Sequence, residues 1–256
     1  MQPIFIAGDS PLHRWHPLTK LAMTFFLISA TSLLPWSYVG LIVCLTVVLL
    51  SSIAGVTRRL FRAALIFLLP IAFSLFLIQG ILFPPVKVTP LVLGPITLWR
   101  EGLIFALVSC IRILALMSSV MLLFQTTHPA DLAFALTERG LPNSIGYILL
   151  VALQLVPDMS ARATAILETQ QSRGLETKGR IRRLRALPSL VGPLVVGALV
   201  DVEERAMALE SRAYTATGPK TSLRRLTDSN GQRLARLILL LGILGLIVFR
   251  IAQIFM

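Results

Sequence analysis

Long stretches without a charged residue constrain the fold of this chain more than any other feature of its sequence. Residues 21–57 and 63–86 contain no Asp, Glu, Lys or Arg, two apolar runs flank Arg112, and 237–249 is again uncharged. About 20 apolar residues are enough for a helix to cross the hydrocarbon core of a bilayer. Charged residues make up 14% of the 256 residues, against roughly 25% in soluble globular proteins. The sequence therefore predicts an all-α, polytopic membrane protein.

The apolar runs predict about five transmembrane helices. The run 21–57 is too long for one span and is interrupted by Pro35, so it predicts a helical hairpin. Prolines and glycine between 84 and 99 predict a loop or re-entrant turn. The predicted spans cover about 20–35, 38–56, 63–83, 101–124 and 237–255.

Charge divides the chain into three predicted regions. Residues 126–236 hold 15 of the 24 basic and 10 of the 12 acidic residues, between a four-span bundle over 1–125 and a last span over 237–256. Because basic residues favour the cytoplasmic side, the polar region and the N-terminus are predicted to be cytoplasmic. Basic residues in these predicted cytoplasmic segments account for the net charge of +12, so we expect no nucleic-acid partner.

Within the polar region the pattern is helical. A helix is predicted to begin at Pro129 and to stop at Gly140, since proline suits a first turn and glycine ends helices. The apolar segment 144–156 is short for a span, so we place it along the interface or inside the bundle. Two long amphipathic helices follow, over about 157–173 and 188–212, and form a weak internal repeat.

Two arginine triplets lie 39 residues apart at the ends of these two long helices. Their residues are Ser172, Arg173, Gly174, Ser211, Arg212 and Ala213. The helix dipole alone favours a cation at a C-terminus by about 0.3–1 kcal/mol, which is the ordinary structural interpretation. Small neighbours also let another backbone approach, and a guanidinium suits carboxylates and carbonyls. The repetition favours docking to a partner with two similar sockets.

Motifs for catalysis or cofactor binding are incomplete. Residues 174–181 have the glycine spacing of a P-loop but lack its final Lys and Ser/Thr. His13 and His16 have no third ligand nearby in the sequence, and metal sites need three or four. For Arg112, in the middle of a span, we expect a backbone carbonyl or an internal polar group as its partner rather than a substrate. We therefore expect no enzymatic activity, no metal and no cofactor.

Several stretches of the chain resemble the transmembrane T component of energy-coupling factor transporters, the EcfT family. The N-terminal stretch 9–21 reads DSPLHRWHPLTKL, close to the signature of that family. The resemblance continues through 126–132 (TTHPADL) and 155–158 (LVPD), and it ends with the two arginine triplets. It covers most of the chain.

The resemblance implies a non-catalytic scaffold and energy-coupling subunit of an ABC-type importer for vitamins or metals. It implies that Arg173 and Arg212 dock into grooves on two EcfA-type ABC ATPases, which bind the ATP. A separate membrane S component would bind the substrate. The implied location is the plasma or inner membrane of a prokaryote, with the coupling helices cytoplasmic and the bilayer as a further partner.

The chain departs from the family pattern at three positions. His16 stands where the family usually has an acidic residue, and Leu18 where it has a basic one. Ala213 replaces the glycine of the second triplet, which is expected to affect how that helix ends.

Two other functions stay open at this point. The stretch 168–188 partly resembles the ATPase-docking loop of ordinary ABC permeases, which carry their own substrate path, but that interpretation leaves Arg212 unexplained. A secondary transporter would show inverted repeats and broken spans, and neither is evident in the sequence.

Overall fold

The computed structural model of the protein describes residues 10–82, 90–93, 96–174, 187–214, 216 and 228–255. The described residues form two compact units, one within Met1–Gly140 and Leu226–Met256 and the other within Leu141–Arg225. The boundaries of these units lie at 140/141 and 225/226, whereas the three regions predicted from charge meet at 125/126 and 236/237. The chain is an all-α polytopic membrane protein.

Helices make up most of both units. The first unit contains α1 (Pro17–Leu33), α2 (Val39–Ala54), α3 (Thr57–Leu77) with a π-helical extension (Ile78–Leu82), α4 (Arg100–Thr126), α5 (Pro129–Thr137) and α8 (Asn230–Phe255). The second unit contains α6 (Asn143–Ser172) and α7 (Leu187–Ser211).

Four of the described helices are long and apolar enough to cross a membrane. They are Thr57–Gly80, Arg100–Thr126, Asn143–Ser172 and Asn230–Gln253. Three correspond to predicted spans, and the two remaining predicted spans correspond to the shorter apolar helices α1 and α2. The fourth, α6, contains the apolar segment for which the sequence predicted an interfacial or internal position.

Helix α6 differs from the prediction because Pro157 does not begin a new helix but lies inside one of 30 residues. Proline in a helix interior costs about 3 kcal/mol. Ending a helix there would instead leave up to four carbonyls without partners inside the helix. Continuing through the proline is the cheaper solution.

The stretch predicted as a loop or re-entrant turn contains two short strands. β1 (Pro90–Leu93) pairs antiparallel with β2 (Ile96–Trp99), with Pro90 opposite Trp99 and Leu93 opposite Ile96. Pro90 stands at the first position of its strand, where its missing N–H is tolerated. Pairing of the two strands satisfies backbone N–H and carbonyl groups that would bond water in an irregular loop.

Small buried residues let α4 lie against α1, α2 and α3 at the centre of the first unit. Ala106 and Ala115 are fully buried, and Ser118 and Ser119 are almost so. The hydroxyl of Ser119 donates to the carbonyl of Ala115 at 2.7 Å, so it is satisfied inside its own helix. Such residues allow close helix packing in a membrane without a polar cost.

Arg112 projects from α4 to the end of α1. Its Nη2 donates to the carbonyl of Leu34 at 2.9 Å, and Leu34 is the C-cap of α1. Carbonyls at a helix C-terminus lack partners within the helix, and the dipole favours a cation there. The predicted backbone-carbonyl partner of Arg112 is confirmed.

The start of α4 touches the π-helical extension of α3 so closely that only glycine fits. A Cβ on Gly102 would lie 1.9 Å from the carbonyl oxygen of Gln79. Because the neighbouring atom belongs to the backbone, no side-chain rotation can relieve the overlap. Gly102 therefore fixes how α4 packs on α3.

We expect Gly102→Ala to destabilise the protein by about 1–3 kcal/mol, the usual cost of overpacking. The matched control is Gly245→Ala, because a Cβ there meets nothing within 4 Å and alanine favours the helix. Thermal unfolding of the purified variants in detergent measures both. Equal unfolding temperatures for the two variants would contradict the close contact.

Candidate functional site

The two long helices of the second unit run antiparallel. Tyr214 follows the end of α7, and its hydroxyl donates to the carbonyl of Asn143, the first residue of α6, at 3.2 Å. The ring of Tyr214 also packs on that of Tyr147, with centroids 5.5 Å apart. The end of one helix thus lies beside the start of the other.

An ion pair joins α6 and α7 further along their length. Arg162 Nη2 lies 3.0 Å from one carboxylate oxygen of Asp201 and 3.2 Å from the other. Gly197 leaves room for it, since a Cβ there would come within 2.7 Å of Arg162 Nη1. Both side chains are partly exposed, so we assign this pair an orienting role rather than a large stabilising one.

At the first triplet the chain leaves α6 through a left-handed residue. Arg173 is the C-cap, with φ −85° and ψ 8°, and Gly174 follows with φ +90°. The N–H of Gly174 donates to the carbonyl of Gln171 at 3.0 Å. The hydroxyl of Ser172 donates back to the carbonyl of Glu168 at 3.0 Å. The last turn of α6 is therefore closed by its own groups.

The second triplet ends α7 in the same way. Arg212 follows the last helical residue, and Ala213 has φ +53°. The N–H of Ala213 donates to the carbonyl of Glu210 at 2.9 Å, and that of Tyr214 to the carbonyl of Leu209 at 3.0 Å. These two bonds define a Schellman motif. Alanine instead of glycine keeps the helix end and adds the strain of a left-handed alanine.

The two triplets have three properties in common: a C-cap arginine, a left-handed small residue after it, and a serine bonded to its own helix. Arg173 and Arg212 are exposed, and within the described part of the chain neither guanidinium has a hydrogen-bond or ion-pair partner. Helix α6 has 30 residues, so at 1.5 Å per residue the triplets lie about 45 Å apart, at opposite ends of the antiparallel pair.

Two sequence stretches that carry the family resemblance meet in the first unit. Lys20 is 3% exposed, and its ammonium group donates to the carbonyl of Thr126 at 2.7 Å and to that of His13 at 3.2 Å. Thr126 is the last residue of α4. Lys20 therefore joins the described part of the N-terminal stretch to the end of α4.

His16 has a structural role as the N-cap of α1. Its Nδ1 accepts from the N–H of Leu18 at 3.3 Å, and its own N–H donates to Gln232 Oε1 at 3.0 Å. An acidic N-cap residue accepts the same bond, so histidine can replace it here. His13 Nδ1 lies 2.7 Å from the hydroxyl of Ser10. Among the described residues no cluster of metal-binding side chains is present.

A three-arginine cluster around Asp228, before α8, was not predicted. Its carboxylate accepts from Arg236 at 2.7 Å, from Arg233 at 3.2 Å and from Arg139 at 3.3 Å. Burial opposes ionisation, but the hydrogen bond and charge of Arg236 hold the pKa of Asp228 below its ordinary value. No sequence signal pairs Arg139 with a residue 89 positions later, because only the fold brings them together.

Comparison with known proteins gives the family. The model of the CbiQ family, described as cobalt transport protein, matches residues 8–223. The chain belongs to this family. Similar relatives named energy-coupling factor transporter transmembrane protein EcfT include that of Exiguobacterium sibiricum, 30% identical with 95% of each chain covered. The EcfT of Thermotoga maritima is 28% identical, covering 96% of this chain and 92% of its own.

The predicted resemblance to a T component is thereby confirmed, and the protein is a transmembrane component of the energy-coupling factor type. The match includes both arginine triplets, Lys20 and His16, and it ends before Asp228. Of the arginine cluster at α8, the match includes Arg139 but not Asp228, Arg233 or Arg236.

We expect Ala213→Gly to stabilise the end of α7 by about 1 kcal/mol, because glycine removes the left-handed strain. Hydrogen exchange of the amides of residues 209–214 should slow about fivefold. The control Ala208→Gly, inside α7 and exposed, should instead speed exchange, since glycine weakens a helix interior. Faster exchange in Ala213→Gly would contradict the assigned helix end.

We expect Asp228→Asn to lower stability by about 1–3 kcal/mol at neutral pH, because charged hydrogen bonds are lost. Since the pKa of Asp228 lies below its ordinary 3.8 in the folded protein, this contribution is complete above pH 3.8 and is lost as the pH falls through the lower, folded pKa. Thermal unfolding as a function of pH checks it, with the exposed Asp158→Asn as control. A wild-type advantage that persists under strong acid would count against the assignment.

Proposed function

We propose that this T component docks on two ABC ATPase subunits, one through Arg173 and the other through Arg212. The observation that carries the proposal is the identical construction of two exposed helix ends. Each presents a C-cap guanidinium beside a left-handed small residue. A partner that binds one end has the shape and chemistry to bind the other.

The separation of the two ends supports two sockets rather than one. At about 45 Å apart, the triplets are farther apart than one small domain is wide, so a single pocket does not hold both. Two related ATPase subunits, or two copies of one, offer equivalent sockets at such a distance. The relatives are named as parts of an energy-coupling factor transporter, in keeping with an ATP-driven partner.

Guanidinium chemistry explains why arginine occupies both positions. Its planar fork of five donors binds carboxylates or carbonyls in a fixed orientation, and truncation of a buried interface arginine commonly costs 2 kcal/mol or more. Because the turns at Gly174 and Ala213 already satisfy the helix-end carbonyls, both guanidiniums have their donors available for a partner.

The antiparallel pair then transmits movement. Helices α6 and α7 are joined by the Arg162–Asp201 ion pair and by the Tyr147–Tyr214 contact, so a displacement at one end reaches the other helix. In the proposed mechanism, ATP binding draws the ATPases together and moves the levers 157–174 and 188–213. A separate S component in the membrane responds and delivers a vitamin or metal ion. This chain hydrolyses no ATP.

The proposal includes an orientation in the membrane. The basic residues of 126–236 and Arg58, Arg59 and Arg62 favour the cytoplasmic side. Both docking ends are then cytoplasmic, where ATP is available, in the plasma or inner membrane of a prokaryote. In this proposal α6 lies along the membrane surface and does not cross the bilayer, although it is long and apolar enough to do so.

The test is co-purification of ATPase subunits with the full-length chain. We expect Arg173→Ala and Arg212→Ala each to weaken ATPase retention by at least about tenfold, and the double variant to abolish it. The Arg173→Lys variant is expected to retain only part of the ATPase, because a lysine ammonium group keeps the positive charge but lacks the planar set of donors of a guanidinium. The matched control is Arg59→Ala, an exposed arginine on α3, which should bind normally.

Each alternative predicts a different result. An ordinary ABC permease with one docking loop would depend on Arg173 alone and tolerate Arg212→Ala. A secondary transporter would transport substrate after purification without any ATPase. Full ATPase retention by the double variant would refute docking through these arginines.

A further inference from the structure

A groove between α1 and α8 in the first unit has an apolar floor and a cationic end. Its walls are formed by Leu18, Leu21 and Phe25 of α1 and by Leu237, Leu240 and Ile243 of α8. Its volume is about 570 Å³, within the range of ligand clefts, roughly 300–1,000 Å³. Arg139, Arg233 and Arg236 line the same groove, so one cleft combines hydrocarbon walls with guanidinium groups.

A second, polar cavity adjoins that end. It has a volume of about 540 Å³ and shares Arg139 and Arg233 with the groove, and His16, Glu138 and Asp228 complete its lining. Burial lowers the pKa of His16 below its ordinary 6.5, so its ring is neutral at pH 7. Three guanidiniums therefore face two carboxylates, and the excess is one positive charge.

The cluster also has donors to spare. Arg236 is 7% exposed, and among the described residues no group forms a hydrogen bond with its buried Nη1. An unsatisfied buried donor on a charged group is costly. Arg139 and Arg233 have side chains that are 55% and 62% exposed, so they can reach an incoming anion. Asp228 thus holds three arginines together but does not bind all of their hydrogen-bond donors.

The dimensions of the groove match one leaflet of a bilayer. Arg233 and Ile243 are ten residues apart on α8, which is about 15 Å along a helix. The hydrocarbon core of a bilayer is about 30 Å thick, so the groove spans about half of it. The arginines lie at the N-terminal end of the span Asn230–Gln253, where headgroups are found.

We propose that the α1–α8 groove binds one anionic phospholipid, with an acyl chain along α1 and α8 and its phosphate on Arg139 and Arg233, next to the buried Arg236. A phosphodiester carries one negative charge and balances the excess of the cluster. Arginine binds phosphate through paired hydrogen bonds. A free phosphate would leave the apolar walls uncovered, and a neutral lipid would leave the charge unbalanced.

The experiment uses the full chain in nanodiscs of phosphatidylcholine with and without phosphatidylglycerol, and native mass spectrometry of the retained lipids. We expect one phosphatidylglycerol per chain, retained at least about tenfold more strongly than phosphatidylcholine. The double variant Arg139→Gln with Arg233→Gln should lose this preference. The control Arg58→Gln with Arg59→Gln removes two exposed arginines of α3 and should keep it.

A second variant tests the apolar part without touching the arginines. Leu240→Trp fills the groove at a position that is 58% exposed, so the fold has room for it, and long-chain phosphatidylglycerol should bind more weakly. Equal retention of both lipids, an equal loss in the Arg58–Arg59 control, displacement of the lipid by millimolar inorganic phosphate, or a second copy of the chain in place of the lipid would each overturn the proposal.

Discussion

Helix-end carbonyls are the groups on which this structure depends, because a chain with so many apolar helices has little water to satisfy them. The first unit satisfies such carbonyls with basic side chains. Lys20 donates to the carbonyl of Thr126 at the end of α4, and Arg112 donates to that of Leu34 at the end of α1. Because both basic side chains bond helix-end carbonyls, we assign Lys20 and Arg112 a structural role.

The second unit solves the same problem with the backbone. At Gly174 and Ala213 the chain turns left-handed, and N–H groups after the helix bond the last carbonyls. The arginines at these ends are then not needed as caps. This difference in how helices end separates Arg112, which bonds the end of α1, from Arg173 and Arg212, which have no hydrogen-bond or ion-pair partner among the described residues.

The antiparallel arrangement of α6 and α7 gives Arg173 and Arg212 their separation. Had the helices run parallel, the triplets would lie side by side and fit one socket. Contacts of Tyr214 with Asn143 and Tyr147 place the end of one helix at the start of the other instead. Because α6 continues through Pro157, the distance between the two triplets equals the length of the whole helix.

Much of the fold could be predicted from local pattern. The start of α5, the end of α6 and both ends of α7 follow from Pro129, Pro188 and the two triplets, because proline and glycine act through their own backbone geometry. Helix α6 was predicted wrongly at Pro157, since the cost of a proline is local but the cost of ending a helix depends on its surroundings. The strands after residue 90 were missed, because pairing needs a second segment.

The sequence by itself determined that this protein is a helical membrane protein with two matching arginine helix ends, because hydrophobicity, proline and glycine act locally. Only the tertiary structure decided which charged side chains bond distant parts of the chain. It brought Lys20 to Thr126, Arg112 to Leu34 and Asp228 to Arg139. These partners lie 78 to 106 residues apart, and no local pattern pairs residues that meet only when helices pack.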